Sequence, residues 1–257
     1  MKRMFFCFIL FLVFSQLNIP ADEEFKIISQ VDGPGSTNCY LICCTSTKDA
    51  GIIDAAGPLD SLTWYISKNG LNIKYIFLTH AHWDHVQGLF ELKKKFPAAE
   101  VCLSYEEYTA MQGYYSFAKE TDPARFEKVM QDSALAGMMN FDLTLIKPNI
   151  FVGDNEEYLL GDIKIKTLFT PGHSYGSMCF YCDNILFSGD VLMYRAVGNT
   201  DFYKASRNDQ IESVRKLYSL FPDSTIVYPG HGQFTDIGSE KIHNRYITVN
   251  DGDWDAR

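Results

Sequence analysis

Four apolar runs in this chain end in the same way, and that ending constrains the fold more than any other feature. "YIFLTHAHWDH", "IKTLFTPGHS", "NILFSGD" and "TIVYPGHG" open on β-branched and aromatic residues and close on Gly, Pro, Ser or Asp, with a histidine or aspartate in the turn. That is the pattern of a strand running into a loop. Four strands delivering polar groups from their ends place a site along one edge of a sheet, where α/β proteins commonly keep their chemistry.

The intervening sequence supplies the other layers. Further strands are expected at "FKIISQV", "NCYLICCT" and "GIIDA". "LDSLTWYISKNG" reads as a helix stopped by Asn-Gly. "HVQGLFELKKKF" reads as a second, with Val86, Leu89, Phe90 and Leu92 on one face. "NDQIESVRKLYSLFPD" reads as a third, with Ile211, Val214, Leu217 and Leu220 at spacings of three and Asn208 or Asp209 as N-cap. Strands and helices mixed through the whole chain predict a layered α/β sandwich. The stretch from Tyr105 to Met139, helical in pattern and rich in Met, Tyr and Phe, reads either as a helical insertion walling the site or as ordinary core packing.

Composition narrows the partners. A chain of 257 residues, 46% hydrophobic, can bury a proper core. Its net charge of -9 disfavours a surface for nucleic acid, and Lys93 to Lys95 suit the end of a helix. Lys2 and Arg3 precede an apolar run from Met4 to Phe14, too short to span a bilayer, with Ala21 as a cleavage point. Residues 1–21 are therefore expected to be a signal peptide. The protein would then be periplasmic or secreted, with no stable membrane insertion after cleavage; otherwise residues 4–14 would anchor it. Cys179 and Cys182 form a CxxC, but in a strand positions three apart face opposite sides, so both are expected to be core residues. Nothing in the sequence reads as an oligomer interface.

Five of the six histidines fall in the four turns, and only His243 lies elsewhere, where a surface or packing role is expected. Divalent ions need N and O donors converging at about 2.0–2.2 Å. His80 and His82, two apart on an extended turn, can aim the same way. Asp84 and His85 begin the next helix and project to a neighbouring point. One loop thus feeds two metal positions, and His173, Asp190 and His231 follow later strands as further donors.

The series THAHWDH, PGHS, SGD and PGHG resembles the metallo-β-lactamase fold hydrolases over roughly residues 25 to 245. The resemblance implies an αβ/βα four-layer sandwich occupying residues 22–257, with two divalent ions, most often zinc, with iron or manganese as alternatives, at one edge. It implies that His80, His82 and His173 bind the first ion, that Asp84, His85 and His231 bind the second, and that Asp190 bridges them. A metal-bridging hydroxide, oriented by Asp84, would attack an acyl group of a small thioester, lactone or amide. Asp190, where true metallo-β-lactamases carry Cys or Ser, points to the glyoxalase II-like branch. The 26 residues after His231 point to its short form. Asn199 stands where that branch commonly has Arg in "GRTD", which opens the question of what that position does here. Two alternatives accompany this expectation: a mononuclear-iron persulfide dioxygenase of the same fold, and a metal-binding module without catalysis.

Overall fold

The computed structural model describes residues 25–121, 123, 124, 127 and 147–249. Residues 1–21, read as a signal peptide, lie outside that range, as does most of the expected helical insertion beyond residue 121. Among the described residues no helix is long and apolar enough to cross a membrane.

The first half builds a six-stranded sheet from β1 (Phe25–Asp32), β2 (Thr37–Cys44), β3 (Asp49–Ile53), β4 (Asn72–Phe77), β5 (Glu100–Leu103) and β6 (Ile150–Phe151), paired in that order. The second half builds another from β7 (Glu157–Leu160), β8 (Ile163–Phe169), β9 (Met178–Cys182), β10 (Ile185–Gly189), β11 (Ile226–Pro229) and β12 (Thr235–Asp236). Helices α1 (Asp60–Asn69), α2 (Trp83–Val86), α3 (Leu89–Lys95) and α4 (Tyr105–Thr121) belong to the first half. Helices α5 (Arg207–Leu220) and α6 (Ile237–His243) belong to the second.

Three apolar clusters set the layers. β2 is buried on both faces: Cys39, Leu41 and Cys43 pack with Leu62, Ile66, Leu89 and Leu92 of α1 and α3, while Tyr40, Ile42 and Cys44 face Phe180 and Phe187 of the other sheet. The far side of the second sheet buries Leu186 and Val227 against Ile211, Val214 and Leu217 of α5. Each such aliphatic side chain contributes about 1.5–3 kcal/mol when fully buried, so the clusters hold the αβ/βα frame on which the loops are hung. Cys179 joins the outer cluster and Cys182 the inner one, as opposite faces of β9 require, and all six described cysteines are free thiols.

Three local readings need correction. The helix expected across "HVQGLFELKKKF" is two helices, broken at Gln87 and Gly88. Gly88 runs against the backbone of Gly57; a Cβ there would lie 2.0 Å from the Gly57 carbonyl oxygen. The close approach lets Gly88 N–H donate to the Ala55 carbonyl at 2.7 Å and Ala55 N–H to the His85 carbonyl at 2.7 Å, fixing α2 to the end of β3. Gly88→Ala is expected to destabilise the fold by about 1–3 kcal/mol through overpacking, read as a fall in the midpoint of denaturant unfolding; an unchanged midpoint would show that the contact relaxes freely. Phe90, expected on the apolar face, is 45% exposed with Lys94 above its ring. Leu220 is 54% exposed, because a strict spacing of three drifts off a 3.6-residue stripe. The N-cap of α5 is Ser206, whose hydroxyl accepts from Asp209 N–H at 3.2 Å.

Candidate metal centre

The two sheets meet at the ends of β4, β8, β10 and β11. β2 is tied across the junction: Asn38 donates from Nδ2 to the carbonyls of Pro229 (3.0 Å) and Gly232 (2.8 Å), and Tyr40 Oη donates to Pro229 (2.6 Å). These bonds hold the loop carrying His231 against the first sheet. On the other side, Gln210 accepts His173 N–H at 2.7 Å and donates to the Val191 carbonyl at 2.7 Å, clamping the His173 loop to the Asp190 loop.

All seven side chains singled out in the sequence converge there, while His243 sits exposed in the last turn of α6, outside the cluster. Donor atoms of His80, His82 and His173 lie within 4.8 Å of one another, as do those of Asp84, His85 and His231, and those of His80, His85 and Asp190. His80 Nε2 is 3.2 Å from His173 Nε2, and His85 Nε2 is 3.3 Å from His231 Nε2. Asp190 stands between the sets. Its Oδ2 is 3.5 Å from His173 Nε2 and 3.4 Å from His231 Nε2, and its Oδ1 is 3.5 Å from His85 Nε2.

The outer ring nitrogens are committed elsewhere, and this fixes which nitrogen faces inward. His173 Nδ1 donates to the Asn199 carbonyl at 2.7 Å. Asn199 therefore serves the cluster through its main chain, a contact that does not need the Arg side chain. His85 Nδ1 donates to Asp54 Oδ2 at 2.9 Å. Thr79 Oγ1 donates to the same carboxylate at 2.9 Å and lies 3.0 Å from His80 Nδ1. Asp54 is 1% exposed and thus sets both histidines, one directly and one through Thr79. In the sequence Asp54 carries no sign of this role, standing only at the end of the apolar run "GIIDA". Its left-handed backbone (φ 61°), which Asp tolerates better than most residues, has no signature in an isolated Asp.

Charge divides the cluster in two. Burial keeps His80 and His173 below the ordinary histidine range and pulls His82 down to about 3, so this trio presents neutral lone pairs. Burial opposes charge on His85 and His231 as well, but Asp54 and Asp190 raise His85 to about 9, and Asp190 with Asp84 raises His231 to about 10. Against the same burial, His85 and His231 hold the Asp190 carboxyl well below the carboxylate range. The site therefore attracts positive charge, and a divalent ion would compete with protons for it. Among the described residues three buried side-chain atoms make no hydrogen bond: His82 Nε2 and Asp190 Oδ1 in the cluster, and Gln87 Nε2, which is no part of it. Unpartnered buried acceptors beside paired Nε2 atoms fit a cation.

A family model described as the Metallo-beta-lactamase superfamily matches residues 32–231. The chain belongs to that superfamily. Among its superfamily relatives, hydroxyacylglutathione hydrolase GloC of Haemophilus influenzae is 32% identical over 213 residues, covering 82% of this chain and 92% of its own length. A protein of Bacillus subtilis described as probable metallo-hydrolase YqgX is 30% identical over 221 residues, covering 84% and 94%. The crystal structure of TTHA1623 in a di-iron-bound form superposes with a TM-score of 0.66 at 28% identity, covering 84% of this chain and 98% of that one. These relatives agree with the glyoxalase II-like branch of the superfamily.

Proposed function

We propose that this protein is a dinuclear metal-dependent hydrolase of small acyl compounds. The single observation that carries this reading is the convergence of seven donors, three neutral and four charged or charge-paired, with two buried acceptors left without partners. His80, His82 and His173 would hold one ion, Asp84, His85 and His231 a second, and Asp190 would reach both. Zinc is the first choice for such a set, and the di-iron form of TTHA1623 keeps iron beside it. Two bound ions would supply Lewis acidity and a water acidified towards neutral pH.

The chain's own groups do the rest. Asp84 Oδ2, 3.3 Å from His231 Nε2 and partly open to solvent, would orient the attacking water. Phe202, 41% exposed, packs its ring against His82 (4.5 Å) and His173 (5.5 Å), and Tyr114 lies 5.2 Å from His82. Those rings form an apolar wall that would exclude bulk water and accept an acyl chain. The activity named for GloC makes a hydroxyacyl thioester the first substrate to try, with a lactone, a β-lactam and an amide beside it.

Reconstituted protein is expected to hold about two ions per chain by elemental analysis. It should turn over at least one acyl substrate, and chelation should abolish that turnover. Retention of a single ion after loading with excess metal, or oxygen uptake with glutathione persulfide in place of hydrolysis, would overturn the assignment in favour of a mononuclear-iron dioxygenase.

A further inference from the structure

A second buried carboxylate, Glu107, lies against the loops that carry His80, His82 and His173. "SYEE" at the start of α4 has the form of a capping box, in which the glutamate at the third helical position turns back to the cap. Ser104 does cap the helix, accepting Glu107 N–H at 3.1 Å. The glutamate side chain does something else. Fully buried, its Oε1 accepts Ala81 N–H at 2.9 Å and Tyr114 Oη–H at 2.5 Å. Its Oε2 accepts Ser174 Oγ–H at 2.8 Å and Gly176 N–H at 2.8 Å.

These partners are arranged around three particular histidines. Ala81 lies between His80 and His82, and Ser174 follows His173 directly. One carboxylate thus grips both loops that present the neutral trio, and nothing larger than glycine fits where they touch. A Cβ on Gly176 would lie 2.2 Å from Glu107 N and 2.3 Å from Ser104 Oγ. The fourth donor, Tyr114, belongs to α4, and its ring packs on His82. Four donors, two on each oxygen, hold this side chain beside the trio.

We propose that Glu107 is a positioning residue for the three-histidine set, fixing the spacing of its two loops through Ala81, Ser174 and Gly176 and making that spacing depend on the docking of α4 through Tyr114. The inference rests on the reading of His80, His82 and His173 as a metal site. In Glu107→Gln the shape is kept, but if Oε1 keeps its two donors, the new NH2 faces the Gly176 N–H, two donors meeting.

The test is a cobalt(II) titration of the full chain, followed by visible absorption and calorimetry, with His82→Ala marking which uptake step belongs to the trio. Glu107→Gln is expected to weaken that step roughly 10- to 100-fold, as loss of a residue behind a ligand does, with the other step within about 3-fold of wild type. Unchanged affinities and spectrum beside a lowered melting temperature would overturn the proposal and leave Glu107 a structural residue; equal weakening of both steps would overturn it too. Should Glu107→Gln fail to fold, Tyr114→Phe and Ser174→Ala each remove one donor and keep the carboxylate. They are expected to weaken the same step several-fold, and wild-type affinities in both would count against the proposal. A wild-type chain that takes up no cobalt overturns the metal reading and this inference with it. Uptake in a single step overturns only the dinuclear reading, and the effect of Glu107→Gln on that step still decides this one.

Discussion

Asp190→Ala is expected to lose at least about 100-fold in turnover, the upper end of what removing even an outer residue behind a ligand costs, and to retain about one ion per chain where the wild type holds about two. The reason is geometric. Its two oxygens lie 3.4–3.5 Å from nitrogens of both histidine sets, so truncation removes a donor from each proposed ion at once. The fold should survive the change. The Asp190 main chain keeps its bond from Gly198 N–H at 2.7 Å, and the side chain is no part of the apolar clusters. Elemental analysis and steady-state kinetics on the same preparation check both halves of the expectation. Near wild-type turnover with two ions would show that this carboxylate does not bridge.

Asp54→Asn should strike the second set from behind. An amide can accept at one position only, so it cannot serve Thr79 N–H (2.8 Å), Thr79 Oγ1 and His85 Nδ1 together. Turned to spare Thr79, its NH2 meets His85 Nδ1 and forces the other tautomer, which takes the Nε2 lone pair away from the centre. Metal affinity and activity are expected to fall about 10- to 100-fold. Stability falls as well at pH values where His85 is charged, because that interior charge then keeps only Asp190 and Asp84 as partners. The pH dependence carries a sign. His85 is raised from 6.5 to about 9, so the native state binds more protons than the unfolded state between those values. The stabilisation from the Asp54–His85 pair is fully present below pH 6.5 and lost as pH rises through about 9. The gap in melting temperature between chelator-treated wild type and Asp54→Asn should therefore be widest below pH 6.5 and close towards pH 9. A gap independent of pH would place the cost in Thr79 alone.

The contrast between Asp190 and Asp54 shows what a sequence of this kind discloses. Asp190 was legible because it ends an apolar run in a turn with Gly, in register with three other such turns. Its partners are histidines, which are few in this chain. Asp54, Glu107 and Asn38 belong to common residue types, and each acts across a long separation, as Asn38 does on Pro229 and Gly232. No local spacing encodes such a contact; it exists only once two sheets have docked. The helices were legible as apolar stripes, yet the break at Gly88 was not, because its cause is the backbone of Gly57 on a distant loop. Strands β6 and β12, two residues each, carry too little pattern to be read at all.

The centre lies on the seam between the two halves of the chain, and neither half can complete it. His80 and His82 come from the first half and His173 from the second; Asp84 and His85 come from the first and His231 from the second. Under the proposed function each ion is a stitch through that seam, present only when the sheets are closed. Ligands that bind only the folded state stabilise it by about 2.7 kcal/mol at a hundred times Kd and about 4 kcal/mol at a thousand times. The persistence of this protein would then follow the free metal around it, so that a shortage of ion would open the chain to proteolysis as well as silence it, and abundance would record metal supply.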